Sequence, residues 1–170
     1  MTAKSKSKTA KKKKQDIDAD VKIVCENRKA RHDYEILETI ECGIVLVGSE
    51  VKSLREGRCS LADSYAKFKN DDIWLIGCDI QEYLEANRLN HEPKRSRKLL
   101  LHRSEIKRCQ VRTASKGFTL IPLRIYFRKH YAKVLLGVCQ GKQEHDKRQA
   151  LKKADIDRRI KLNMMRYQQR

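Results

Sequence analysis

The chain has 170 residues, 39% of them hydrophobic, with only two prolines, enough for one packed domain with tails and no need of disulfides or metals. Its longest apolar runs, such as 44–47 and 134–136, fall far below the ~20 residues a membrane-crossing helix needs, and no apolar stretch follows the basic N-terminus as in a signal peptide. The six cysteines stand singly, with no CxxC or CxH pair, which argues against a zinc site and fits small core residues in a reducing cytoplasm.

The formal net charge is +18, and it is unevenly placed. Residues 1–14 hold seven lysines and no acid, within a low-complexity Lys/Ser/Ala stretch, so 1–20 is expected to be disordered. Residues 88–112 hold nine basic and two acidic residues, and 141–170 hold ten basic and four acidic residues. Stripes of this kind most often meet a nucleic-acid phosphate backbone.

In chain order, 34–47 is β-branched and strand-like, with Gly43 suggesting a bulge or tight bend. GSEVKSLREG at 48–57 reads as a helix capped by Ser49 and ended at Gly57. Strands follow at 61–69 and 73–80, joined by the turn signal Asn70-Asp71-Asp72. The polar 85–98 segment, interrupted by Pro93, reads as an extended loop. A short helix is expected over about 103–113 with Ser104 as cap, then a hairpin of 120–127 with 131–139. After Gly141 there is no Gly or Pro, but the apolar face is thin, so this segment should be helical only when docked. The sum is a mainly β fold of about six short antiparallel strands over 21–140 with two flanking helices. An OB-like closed barrel would hide the strand edges.

No catalytic motif stands out. His32-Asp33, His91-Glu92 and His145-Asp146 are sequence neighbours, which on a strand would point to opposite faces. Gly43 and Gly48 have phosphate-loop spacing, but Ser49-Glu50 replaces the Lys-Ser/Thr pair that grips phosphate and metal. The expectation is a protein that acts by binding and is not an enzyme, with neither metal nor cofactor. Within NHEPKRSRKLLLH at 90–102, Lys94, Arg95, Arg97 and Lys98 suit phosphate contacts, and His91 and His102 suit contact with a base; the alternative is a solvated loop.

Five strings occur in a distinctive order: NRKARHDYEI at 27–36, GSEVKSLREG at 48–57, LADSYAK at 61–67, NHEPKRSRKLLLH at 90–102 and GKQEHDKR at 141–148. In this order they resemble the SmpB family, the small protein B that partners transfer-messenger RNA (tmRNA) in bacteria. The resemblance spans about residues 21–150. It implies an OB-like barrel that binds the tRNA-like domain of tmRNA and enters stalled ribosomes with alanyl-tmRNA and elongation factor Tu. Alanyl-tRNA synthetase would be a partner only through tmRNA, and the protein would be a monomer. Its C-terminal tail, 141–170, would be disordered when free and helical in the empty mRNA path near the decoding centre, against small-subunit rRNA.

Carried over residue by residue, the tmRNA surface implied by the resemblance is Asn27, Lys29, His32, Glu41, Leu100 and His102, joined by Arg97 and Lys98 from the basic segment. Glu41 has two readings: an acceptor from a base or a 2′-hydroxyl, or an acid that orients nearby Arg or Lys. In the tail, His145, Asp146, Lys147 and Arg148 match the family motif, and Lys152, Lys153, Arg158 and Arg159 match it only in character. Cys42 and Ser49 depart from the residues most frequent in the family at those positions, Ala and Thr.

Overall fold

A computed structural model describes residues 21–86, 90–114, 117–142, 159–160 and 164–165. Within these lie nine strands: β1 (Val21–Glu26), β2 (Tyr34–Ile44), β3 (Cys59–Ser60), β4 (Tyr65–Lys69), β5 (Asp72–Ile76), β6 (Asp79–Ile80), β7 (Arg97–Leu100), β8 (Phe118–Arg128) and β9 (Tyr131–Gly141). Three α-helices are interposed: α1 (Arg28–Asp33), α2 (Gly48–Arg55) and α3 (Arg103–Thr113).

Six strands close on themselves in the order β8-β4-β5-β7-β2-β9, with β9 returning to β8, and every pairing is antiparallel. Closure satisfies backbone groups that an open sheet would leave at its edges. β1 stands outside the ring on β8, whose free edge is shared: Leu120 pairs with Ala66 of β4, and 124–128 pair with β1. β3 and β6 form a separate two-stranded ribbon.

The alternation of β2 decides which side is core. Ile40, Cys42 and Ile44 point inward, where they meet Ile73, Leu75, Leu99, Leu120, Ile125, Val134 and Leu136. Full burial of such a side chain contributes roughly 1.5–3 kcal/mol. β8 changes phase midway. Leu120 and Ile125 face the main core, whereas Ile121 and Leu123 face a second cluster with Ala30 and Cys139 beneath α1. The change occurs at a bulge between Pro122 and Arg124, the kind of position where a proline lacking its N–H is tolerated inside a sheet.

The 70–72 signal is a two-residue hairpin in which Asn70 and Asp71 both take positive φ, 50° and 60°. Gly43 is not at a bulge. It is where β2 changes neighbours, pairing with Leu100 on one side and Lys133 on the other. Ser49 is not the cap of α2, which begins at Gly48; the Glu50 carboxylate caps instead, accepting from the Val47 N–H at 2.8 Å. The 85–98 segment contains a 3-10 turn at Leu84–Ala86 and ends in β7. β1, α1 and β3 are additions to the expected set, the strand expected at 61–69 begins only at Tyr65, and the one expected at 73–80 is broken at Gly77 into β5 and β6. The segments 1–20 and most of 141–170, for which disorder and a docked helix are expected, lie outside the described residues.

Gly77, between β5 and β6, has φ +74°, and a Cβ there would lie 3.3 Å from the Asp63 carbonyl oxygen. Gly77→Ala should therefore destabilise by about 1–2 kcal/mol, seen as a lower urea midpoint at unchanged slope.

Candidate nucleic-acid interface

The basic 90–98 segment is anchored to the body by one carboxylate. Glu50, on α2, is fully buried. It accepts from Arg95 Nε at 2.7 Å and Arg95 Nη2 at 2.6 Å, from Arg97 Nε at 2.8 Å and from the Val47 N–H. These four donors match the roughly four lone-pair sites of a carboxylate. Arg97, also fully buried, donates further to the carbonyls of Cys78, Arg95 and Pro93. Burial alone would raise the Glu50 pKa, but the hydrogen bonds from Arg95 and Val47 and the Arg97 charge hold it below the usual carboxylate range. Next to this network, His91 is buried between the Ser49 hydroxyl at 2.9 Å and the Ile80 carbonyl at 3.0 Å.

Three expectations change accordingly. Arg97 is not a phosphate ligand, because no part of its side chain reaches solvent. His91 has both ring nitrogens engaged and no face for a base. Arg95 binds Glu50 through two nitrogens. Compensation extends further. Lys98 pairs with Asp72 at 2.6 Å, and Arg108 and Arg112 both pair with Glu38 at 2.9 and 2.8 Å. In the internal basic stretch, Lys94, Arg103 and Lys107 are the cations left without an ion pair among the described residues.

Asn27 is corrected in the same sense. It is buried, and it caps α1 by accepting from the Ala30 N–H at 2.9 Å. Its amide donates to the carbonyls of Leu61 at 3.1 Å and Pro122 at 3.3 Å. The residue therefore positions α1 rather than facing outward. What α1 presents is Arg28, Lys29, Arg31 and His32, all exposed. Lys29 pairs with Asp63 at 3.2 Å with both side chains mostly exposed, a solvent-screened contact that a phosphate can displace. His32 and Asp33 lie on a helix rather than a strand, and their side chains meet at 2.9 Å, which orients the imidazole. A groove of about 400 Å³ runs beside this helix, lined by Lys29, Tyr34, Asp63, Tyr65 and Thr119.

The outer sheet face links α1 to β7. Register partners Ile23, Tyr126, Lys133, Gly43 and Leu100 form one row across β1, β8, β9, β2 and β7. Glu26, Arg124, Leu135 and Glu41 form the next. Arg31 of α1 joins the second row through Glu26 at 3.2 Å, and Arg124 reaches the same carboxylate at 3.0 Å. Gly43 has no side chain to cover its neighbour, and Leu100 stands 52% exposed.

Glu41 supports the orienting reading. It accepts from the Tyr126 hydroxyl and lies 3.5 Å from both Arg128 and Lys133. The Tyr126 bond, with those two cations, holds its pKa below the usual range despite partial burial. Beyond Leu100, a groove of about 680 Å³ between β7 and α3 is lined by Lys98, Leu100, Leu101, Arg103 and Lys107. His102 is exposed at the start of α3, where its N–H donates to Glu105 at 3.0 Å.

The structure thus brings Lys29, His32, Glu41, Lys98, Leu100 and His102 to the surface and places Asn27 and Arg97 beneath it. Sequence reasoning passed over Arg124, Arg128 and Lys133, whose only sequence signal was a charge at alternate positions of apolar strands. Arg159 is helical and exposed, whereas His145, Asp146, Lys147, Arg148, Lys152, Lys153 and Arg158 lie outside the described residues.

The model of the SmpB protein family matches residues 24–166. An SsrA-binding protein of Levilactobacillus brevis is 51% identical over 145 residues, covering 85% of this chain and 92% of the relative. One of Nitrobacter hamburgensis is 55% identical over 139 residues, covering 81% and 88%. A solved chain described under "tmRNA-SmpB: a journey to the center of the bacterial ribosome" is 47% identical with a TM-score of 0.61, covering 75% of this chain and 93% of that one.

Removing the Glu50 charge leaves buried Arg97 uncompensated, so Glu50→Gln should cost about 3–5 kcal/mol in equilibrium unfolding. Because the folded pKa of Glu50 is depressed, its contribution is present above the ordinary carboxylate value of about 4.3 and is lost as pH falls through the folded value. The stability gap between the native chain and Glu50→Gln should therefore narrow on acidification over that window.

Proposed function

The chain belongs to the SmpB family, and on that premise we propose that it binds tmRNA, the SsrA RNA for which its relatives are named, and serves trans-translation on stalled ribosomes. The ring of strands is read as an OB-like barrel that docks the tRNA-like domain of the RNA. The observation that carries the reading is the continuous outer surface that runs from α1 across the two sheet rows to Leu100 and the β7–α3 groove. It combines exposed cations for phosphates, an exposed leucine for an apolar contact and a histidine at each end, the mixture that a folded RNA backbone with accessible bases requires.

In this proposal Lys29, Arg124, Arg128, Lys133 and Lys107 meet phosphate, and Glu41 keeps two of those cations in place. Lys98 joins them by exchanging Asp72 for phosphate. Leu100, His32 and His102 contact ribose or base. Asn27, Glu50 and Arg97 act only by positioning. The protein performs no chemistry of its own and acts in the cytoplasm as a monomer. Among the described residues no helix is long and apolar enough to cross a membrane. Elongation factor Tu and alanyl-tRNA synthetase are partners through the RNA. The segment 141–170 enters the empty mRNA channel near the decoding centre, with His145 stacking on an rRNA base and Lys147, Arg148, Lys152, Lys153, Arg158 and Arg159 meeting rRNA phosphate.

Titration against tmRNA and against an ordinary tRNA at several salt concentrations tests the first half. Binding should be tighter for tmRNA, with a log–log salt slope of about −0.7 to −0.9 per phosphate neutralised; equal affinity for the two RNAs would overturn the specificity. Truncation after Gly141 tests the second half. The shortened chain should bind tmRNA almost as well as the full chain and fail to support tagging of stalled peptides, and full tagging would refute the role given to the tail.

A further inference from the structure

Cys25 and Cys59 are 34 residues apart in sequence, yet their sulfur atoms lie 3.2 Å apart. A disulfide bond is ~2.05 Å long, so about 1 Å of closure separates the two states. Cys78 Sγ lies 4.0 Å beyond Cys59. Cys42, Cys78, Cys109 and Cys139 are buried, whereas Cys25 and Cys59 are half-buried. The two segments involved are already held side by side, since Asn27 donates to the Leu61 carbonyl. Cross-linking Cys25 to Cys59 would follow a path that the fold has already closed, at the base of α1.

We propose that Cys25 and Cys59 form a reversible redox pair, oxidised by a hydroperoxide to an intramolecular disulfide that fastens β1 to β3. The Cys25 thiolate attacks one peroxide oxygen and the O–O bond breaks. Cys25 becomes a sulfenic acid, and the departing hydroxide leaves as water with the proton the thiol gave up. The Cys59 sulfur then attacks the Cys25 sulfur, and hydroxide departs with the Cys59 proton as a second water. Two thiols thus lose two electrons and two protons, and one hydrogen peroxide becomes two waters.

The order of attack follows from the surroundings. Contact with Cys59 holds the Cys25 thiol below its ordinary pKa, while contact with both Cys25 and Cys78, together with burial, pushes Cys59 up. Cys25 is therefore the sulfur oxidised first and Cys59 the one that resolves it. Because α1 starts directly after its cap at Asn27, the disulfide would stiffen the base of the helix that carries Lys29 and His32.

The full chain, treated with hydrogen peroxide, alkylated in denaturant and digested, should yield a Cys25–Cys59 peptide that dithiothreitol dissolves. Its thermal midpoint should rise on oxidation. Cys78→Ser should retain the cross-link, and Cys59→Ser should lose it and accumulate Cys25 as sulfenic or higher acids. If a variant does not fold, the peptide map of the unaltered chain still decides. Cys25 recovered fully alkylated, a dominant Cys59–Cys78 bond, or disulfides only between molecules would each overturn the proposal.

Discussion

Glu50 and Arg97 are both sealed from water, and Arg97 is matched there by Glu50 while Glu50 is matched by Arg95 and Arg97 together. Withdrawing two charges from solvent carries a penalty that mutual attraction offsets only when the remaining hydrogen-bond sites are filled. Here they are filled from several directions. The α2 start, the loop carbonyls at 93 and 95 and the turn at Cys78 all converge on the pair. That convergence fixes the course of the chain into β7, and with it the outward direction of Lys98 and Leu100. An apolar pair of similar volume would serve stability as well, but it would not specify this path through directional bonds.

Asn27 plays the corresponding part at the other end of the surface. One amide closes the start of α1 and holds 61 and 122, segments far apart in sequence, against it. The β8 bulge supplies the room, because the change of phase at Pro122 turns Ile121 and Leu123 out of the main core and into contact with Ala30. Two buried polar clusters therefore bracket a sheet face whose exposed rows are set by strand register alone. The charge balance of that face is also a tertiary property. Acids at 38, 50 and 72, each outside the basic stretch, neutralise cations within it. The cations that remain available include Lys107 on α3, while Arg124 and Lys133 lie on strands that looked merely apolar.

Much of the architecture was legible because it rests on local rules. Ile40, Cys42 and Ile44 point to one side of their strand, Asn70-Asp71 tolerates the left-handed backbone of a tight hairpin, and α3 spans 103–113 as expected, with His102 rather than Ser104 at its cap. β1 was missed since VKIVCE adjoins the Lys-rich tail and lacks clean alternation, its burial depending on a partner strand a hundred residues on. α1 was missed because its six residues form a helix largely through the Asn27 cap and the apolar patch beneath Ala30.

By itself, the sequence determined that the chain is basic and mainly β, where most strands and turns fall, and, through five strings in order, to which family it belongs. Periodicity, turn chemistry and composition are local quantities and can be read from neighbours. Only the tertiary structure decided what the charges do. Arg97 and Lys107 are indistinguishable in sequence, yet one is sealed against an acid 47 residues away and the other stands in solvent. Burial and ion pairing depend on which distant segments meet. The positive charge of the 88–112 stretch is therefore, in the folded protein, partly internal scaffold and partly open surface.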